Sequence, residues 1–356
     1  MGVEALPLPR DWDQMTPEWM SLALAAHHPG VEVESVSVDL RDDGTNRRAR
    51  LRLTYAAGQG PATVFVKAAD PAHKELIRMT SGMFHEPRLF NSRVPLHLEH
   101  PTVYAALIDE DNYDFVMVME DVIARGADPR DATRPLTVDQ AAAGVRGLAR
   151  MHAKYWERVE GHPDLGWLEP FVPWNGMEIA PLPAALERLG PDAPPQVMAL
   201  SIGELIDDIW KPYIRTLTRT PQTLLHGDAH IGNTYLLADG EVGFLDWQVA
   251  RRGNWSMDLG YFLQGALTIE DRRRGEDELL GIYRDALDLP AAHLPTPAEI
   301  ELGYRASVAH GLTLWLCTAS AGEFWQRPDI ALALAQRYSA AYADLDTASA
   351  IAELSR

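Results

Sequence analysis

The sequence has a single cysteine, Cys317, in 356 residues, which excludes an intramolecular disulfide and a cysteine-based metal site. That residue ends the apolar run Leu314-Trp315-Leu316-Cys317, which reads as buried helix. No uninterrupted apolar stretch is long enough to span a bilayer, and the first thirty residues lack a basic segment leading into an apolar core. A cytoplasmic protein with no membrane partner is therefore expected. Basic residues are few beside acidic ones: 32 Lys and Arg stand against 51 Asp and Glu, a formal net charge of -19. That deficit argues against nucleic acid as a partner, because a phosphate backbone needs a basic footprint. Internal repeats and low-complexity tracts are also missing. The remainder, 46% apolar and 23% charged, is the balance of a soluble globular chain with room for two domains.

The first third of the chain reads as strands. A short helix opens it, with Thr16 as N-cap and Pro17 at the first helical position. Residues 31–40 then alternate polar and apolar, Asp42-Asp43-Gly44 supplies a turn, and residues 48–55 alternate again. A third strand runs Thr63-Val64-Phe65-Val66-Lys67, and two more are expected at 102–108 and 113–119, with a helical stretch at 74–93 between. After Asp121 the pattern turns helical. Thr137-Val138-Asp139-Gln140 has capping-box form and opens a long amphipathic run. A Pro-rich, Trp-containing loop is expected at 161–195, and further helices near 201–219, 256–267, 277–287, 297–318 and 329–345. A strand-rich front before a helix-rich back predicts an α+β, two-lobed plan, divided into residues 1–121 and 122–356.

The chemistry concentrates in Leu224-Leu225-His226-Gly227-Asp228-Ala229-His230-Ile231-Gly232-Asn233-Thr234, followed by Gly243-Phe244-Leu245-Asp246-Trp247-Gln248. A carboxylate, an amide five residues later and a second carboxylate beyond a short hairpin are the parts phosphoryl transfer needs. One carboxylate orients or deprotonates the attacking hydroxyl, while acid and amide oxygens hold Mg²⁺ against a triphosphate. Positioning and charge neutralisation do most of the work. A single Asp in a loop is usually a turn or cap residue. Three such groups in this order, between apolar strand residues, point to function.

HGDxHxxN followed by FLDWQ resembles the catalytic and metal-binding loops of the aminoglycoside phosphotransferase and choline kinase-like families, relatives of the protein kinases. The resemblance implies a bilobal protein-kinase-like fold and transfer of the γ-phosphate of ATP to a small-molecule hydroxyl. It makes Asp228 the catalytic base and Asn233 and Asp246 the Mg²⁺ ligands. His226 would brace the loop, and His230 would lie near the transferring phosphate or pack the loop. It also implies a lysine ending the third strand and a glutamate on the next helix, here Lys67 and Glu86. Glu75 competes as the lysine's partner, and Pro87 requires the helix to begin near it or to kink. Gly44, Thr45 and Asn46 occupy the place of the phosphate-covering loop by position, with one glycine where protein kinases have GxGxxG. Met119, Glu120 and Asp121 would form the hinge that meets the adenine. Glu120-Asp121, Asp246-Trp247-Gln248 and Asp258-Leu259-Gly260-Tyr261-Phe262-Leu263 are similar to the ecdysteroid kinase-like branch. Asp258 is expected to cap a helix and tie the catalytic loop in place.

The acceptor is less legible. Trp156, Trp167, Trp174, Asn175, Trp315, Phe324 and Trp325 could form a cage for a quaternary ammonium or a wall for an apolar ring, or simply pack the core. Glu204, Asp207 and Asp208 could meet a polyamine drug, or form a solvated face. Three readings follow: a metabolite kinase with a lipid-, steroid- or acyl-CoA-like acceptor, an antibiotic kinase, and a nucleotide-binding scaffold without turnover. The complete set Lys67, Asp228, Asn233 and Asp246 argues against the third.

Overall fold

Apolar alternation at period two in the first third of the chain produces an antiparallel sheet, and period 3.6 beyond it produces helices. The computed structural model describes residues 6–41, 44–75, 82–219 and 221–356. Asp42 and Asp43 of the expected turn, and residues 76–81 of the expected helix at 74–93, lie outside the described residues. The chain forms two compact units. One comprises Met1–Pro95, His100–Asp128 and Asp246–Val249; the other comprises Leu96–Glu99, Pro129–Leu245 and Ala250–Arg356.

The first unit is a five-stranded antiparallel sheet: β1 (Glu32–Arg41), β2 (Arg47–Ala57), β3 (Thr63–Ala68), β4 (Val103–Asp109) and β5 (Asp114–Glu120), in the order β1-β2-β3-β5-β4. Alternation assigns its faces. Val64, Val66 and Ala68 join Leu51, Leu53, Val116 and Val118 in one core with Trp19, Met20 and Leu24 of helix α1 (Pro17–Leu24). Thr16 caps α1 by accepting from the Trp19 N–H, and Pro17 follows it, as the sequence predicts. The opposite face carries Lys67 and Phe65 of β3, with Phe115, Met117 and Met119 of β5. Helix α2 (His85–Asn91) covers part of it. Each fully buried Val, Leu or Met here contributes about 1.5–3 kcal/mol, so both faces are held by apolar burial.

The second unit is mainly helical. Helix α3 (Val138–Tyr155) opens with the expected capping box, Thr137 and Gln140 each bonding the other's backbone. The segment expected to be loop at 161–195 contains helix α4 (Leu182–Leu189), whose Leu182, Ala185 and Leu189 are buried; Gly190 ends it with a φ of +81°. Helix α5 (Lys211–Thr216) continues a π-helical turn, Glu204–Trp210. Strands β6 (Thr223–Leu225), β7 (Thr234–Leu236), β8 (Val242–Phe244) and β9 (Arg251–Gly253) frame the motif loops. Then come α6 (Ser256–Ala266), α7 (Ile269–Ala286), α8 (Pro297–Ser320), α9 (Pro328–Asp344) and α10 (Thr347–Leu354). Cys317 lies on α8, partly buried, its thiol pKa pushed up to about 12 by burial. Among the described residues no helix is long and apolar enough to cross a membrane.

One buried group gives this unit an acid limit. His310 on α8 is 1% exposed, accepts from the Trp210 indole N–H at 3.3 Å, and meets the Tyr261 ring at 4.8 Å. Burial pulls its pKa down to about 3, against a smaller opposing pull from the Asp258 charge. The unfolded chain therefore binds a proton near pH 6.5 that the folded chain refuses, and stability falls as pH drops from about 6.5 toward 3. Urea unfolding at pH 7.5 and 5.5 should show the parent losing about 1.4 kcal/mol more than His310→Gln. Equal losses would contradict this.

Candidate active site

In the first unit the site begins with a lysine that cannot stand alone. Lys67 lies in the interior strand β3 and is 3% exposed, so its ammonium requires compensation. Its Nζ donates to Glu86 Oε2 at 2.6 Å and to Asp246 Oδ1 at 2.8 Å. Burial acts to lower the lysine pKa, but Asp246 and Glu86 together outweigh it, and the net direction is up. Glu86, on α2 and equally buried, also accepts from the Trp247 N–H through Oε1 at 3.1 Å. The partner is thus Glu86 rather than Glu75, which is exposed. Pro87 falls in the first turn of α2, where a missing N–H breaks no intrahelical bond, so the helix starts at His85 without a kink there. Asp246 takes a left-handed backbone, φ +61°, a conformation rare for a non-glycine residue.

The other first-unit residues are placed as follows. Gly44 is exposed, Thr45 half-buried and Asn46 buried, just before β2. The β2–β3 register sets Arg48 opposite Lys67. Met119 packs with Met117, Phe65 and Val103 on the lysine-bearing face. The Glu120 N–H is bonded to the Thr102 carbonyl at 2.8 Å, and its carboxylate meets Arg125 at 3.0 Å. Asp121, at the end of β5, accepts from the Thr63 hydroxyl at 2.7 Å and from the Ile123 N–H at 3.2 Å. That side chain locks the strand end through its carboxylate.

In the second unit the motif loop follows β6. Asn233 directs its amide N–H groups to the Asp228 carbonyl and to Asp228 Oδ2, both at 2.9 Å. With the nitrogen so engaged, the amide's other polar atom is an acceptor oxygen. His230 accepts from the Gly232 N–H, so its Nε2 carries the proton, 3.9 Å from Asp228 Oδ2. Its ring lies edge-on to Trp315 at 5.1 Å and to Tyr261 at 5.8 Å. Gly227 has a φ of +82°, which allows the loop to turn.

The support of this loop is built from buried polar groups. Asp258, fully buried in the first turn of α6, accepts from the N–H groups of His226 and Gly227 at 2.7 and 2.9 Å. His152 Nε2 meets the same carboxylate at 3.2 Å, and its Nδ1 bonds the Tyr283 hydroxyl at 2.8 Å. The expected helix-capping role of Asp258 does not hold: Asn254 Oδ1 accepts from the Ser256 N–H, while Asp258 serves the motif loop. The expected tie does. His226 accepts from the Asp228 N–H and donates from Nε2 to the Leu245 carbonyl, while the Leu245 N–H bonds the Asn233 carbonyl at 2.8 Å. The residue preceding Asp246 is therefore tied on both sides.

The donor set is all oxygen, one amide and carboxylates, which suits a hard divalent cation. Among the described residues there is no group of three or more His, Cys, Asp or Glu able to hold a metal by itself. A hard cation held by only one or two such oxygens takes the rest of its shell from phosphate oxygens and water, the usual habit of Mg²⁺.

A family model described as the phosphotransferase enzyme family, APH, matches residues 41–298. Among solved structures the chain is similar to a candidate aminoglycoside phosphotransferase from Ralstonia eutropha JMP134, at 16% identity and a TM-score of 0.52, over 93% of this chain and 97% of that one. It is also similar to choline kinase LicA from Streptococcus pneumoniae, at 15% identity and a TM-score of 0.47, over 92% of this chain and 98% of that one. An ethanolamine kinase from Plasmodium vivax aligns at 11% identity and a TM-score of 0.49, over 86% and 81%. No curated protein sequence matches. The Ralstonia likeness shows an α+β protein-kinase-like fold, with a five-stranded antiparallel sheet and a helical C-terminal region. Because the family match runs from β1 into α8 and includes both motif segments, the chain belongs to the phosphotransferase enzyme family and is a kinase acting on small-molecule hydroxyls.

Proposed function

We propose that the chain transfers the γ-phosphate of ATP to a hydroxyl of an apolar, ring-bearing or lipid-like metabolite, and that it stands nearest the ecdysteroid kinase-like branch of the family. The observation that carries the catalytic reading is the buried Lys67, held by Glu86 and Asp246 within 2.8 Å. A surface lysine on an edge strand would have neither the burial nor the two acids. Residues 1–121 would serve the nucleotide, with Lys67 on its α/β-phosphates, residues 44–46 over them and Met119 to Asp121 at the adenine. Residues 122–356 would carry the catalytic loop and the acceptor. The protein works in the cytoplasm on a small molecule.

Asp228 Oδ would accept the proton of the acceptor hydroxyl as that oxygen attacks the γ-phosphorus. The bond from the γ-phosphorus to the β,γ-bridging oxygen breaks, and ADP leaves with that electron pair. Asn233 and Asp246 would hold Mg²⁺, which supplies charge neutralisation for the triphosphate. The hydrogen bonds from Asn233 to Asp228 support this division, since they fix the carboxylate beside one of the proposed metal ligands.

The apolar acceptor is supported by aromatic and apolar side chains of the second unit. Trp315 packs edge-on against His230 at 5.1 Å, and Trp174, half-buried, meets Trp210 at 4.7 Å. Val172, Ile179, Phe324 and Trp325 are exposed at 46–87%, with the Phe324 and Trp325 rings edge-to-face at 4.7 Å, open apolar surface that an apolar ligand would cover. The acidic helix offers little to a polycation: Glu204 accepts from Ser201, and Asp207 is paired with Lys211 at 2.9 Å. A thermal-shift titration tests the class. Mg·ATP at about a hundred times its Kd should stabilise by about 2.7 kcal/mol, and apolar hydroxylated compounds, not aminoglycosides, should enlarge the shift. Enlargement by aminoglycosides alone would overturn the acceptor assignment. The absence of any nucleotide shift in a folded sample would move the reading to a scaffold.

A further inference from the structure

Asn46 carries an uncommon arrangement for a loop residue. It is 3% exposed, and its Nδ2 donates to Oε1 of Gln248 at 2.9 Å, a bond between residues 202 apart in the chain. Its Oδ1 is buried and, among the described residues, has no hydrogen-bond partner. A half-satisfied buried amide is costly, and a position that keeps one calls for an explanation. The Gly44 N–H donates to the Asn46 carbonyl at 2.9 Å, closing the loop on itself. The next residue, Arg47, is anchored by the Ala69 carbonyl at 3.0 Å and lies over the Trp12 ring at 5.2 Å. Arg48 then pairs with Lys67 across the strands.

These bonds form a closed ring within the first unit. It runs from Asn46 to Gln248, two residues along the chain to Asp246, from Asp246 to Lys67, and through the β2–β3 pairing back to residue 46. We infer that the Asn46–Gln248 bond is a latch that sets the 44–46 loop and the Asp246 carboxylate as one rigid piece, so that both are in place when Mg·ATP binds; this rests on the kinase reading above. Asn46 is then a positioning residue. Its donor is committed to Gln248, and its remaining oxygen, an acceptor, would repel a phosphate. Contacts from this loop to a triphosphate fall instead to backbone N–H groups, as is usual where short loops cradle phosphates.

The test uses the full chain and four variants: Gln248→Met, Asn46→Leu, the double variant, and Gln248→Glu. Calorimetry with Mg·ATP should show each of the first two weakening binding about tenfold, the loss expected for one hydrogen bond that leaves a buried amide unsatisfied. The double variant should be no worse than either single one. Gln248→Glu, which keeps an acceptor for Asn46, should recover most of the loss. Amide exchange at residues 44–46, measured without nucleotide, should quicken in Gln248→Met. Full affinity in Gln248→Met beside a loss in Asn46→Leu would overturn the latch and make Asn46 a direct ligand. Losses that add in the double variant would overturn it as well. A parent chain that binds no Mg·ATP overturns both the latch and the kinase reading, whereas a parent that binds and a Gln248→Met that binds equally well overturns the latch alone.

Discussion

Asp228→Ala is expected to lower phosphoryl transfer by about 10³-fold, within the range for loss of a general base, while Mg·ATP affinity changes less than about threefold. The separation of the two readouts follows from where the carboxylate sits. In the second unit Asp228 is bonded to Asn233 and lies 3.9 Å from His230, while in the first unit the acids bonded to Lys67 are Glu86 and Asp246. The loop itself is held by Asp258 through the His226 and Gly227 N–H groups and by His226 through Leu245, none of which uses the Asp228 side chain. Alanine at 228 therefore removes the proton acceptor and spares the scaffold. Single-turnover transfer and nucleotide calorimetry on the same protein decide it. Near-normal turnover would show that another group takes the proton, and a parallel collapse of Mg·ATP affinity would show that Asp228 is instead a nucleotide ligand.

Lys67→Met is the second large effect, and here stability and function move together. Removing the ammonium leaves the Glu86 carboxylate buried at 3% exposure and the Asp246 carboxylate beside it, without the cation that both address. Breaking a buried pair from one side costs about 3–5 kcal/mol, much of it the penalty of the charge left behind. Urea unfolding should show a loss in that range, and nucleotide affinity and turnover should fall with it. Glu86→Gln added to Lys67→Met removes one of the stranded charges and should recover about half of the stability with none of the turnover. The pH dependence has a definite sign. The lysine pKa is raised by Asp246 and Glu86 in spite of burial, so its stabilisation is complete below the unfolded lysine value near 10.4 and is lost as pH rises through the higher folded value. Equal stabilities of the single and double variants would show that burial of the carboxylates is not what the lysine offsets.

The front of the chain was legible because residues 31–40 and 48–55 alternate, the interior strands are short apolar runs, and the turns carry Gly or Asp. Strand bounds read from the sequence differ from the observed ones by at most two residues, as at β2. The motif residues were legible because their chemistry sits in two short segments, and the Lys67–Glu86 pair because the family resemblance says where to look. Other features depend on distant partners and leave no local trace. Asp258 looked like a helix cap because it lies in a first turn, but its carboxylate is taken by the backbone of His226 and Gly227, some thirty residues earlier. Asn46 and Gln248 meet only in the folded chain. Helix α7 starts at Ile269, well before the expected 277, capped by Thr268, which accepts from the Asp271 N–H. Of its three consecutive arginines Arg272 is 1% exposed and bonded to Glu276 and Asp344, while Arg273 and Arg274 stay exposed, so one charged side chain is buried once its partners are supplied. Helix α10 adds to the helices expected from the sequence; no side chain caps its start.

The central claim is that this chain moves the γ-phosphate of ATP onto a small-molecule hydroxyl through Asp228. The most direct measurement incubates the protein with γ-labelled ATP, Mg²⁺ and a panel of apolar hydroxylated compounds, then follows the label into product, with Asp228→Ala run in parallel. Label in an organic phosphate ester, absent from the Asp228→Ala sample, is the predicted result. Label that stays in ATP or appears only as inorganic phosphate with every acceptor, or an ester formed equally well by Asp228→Ala, would contradict it.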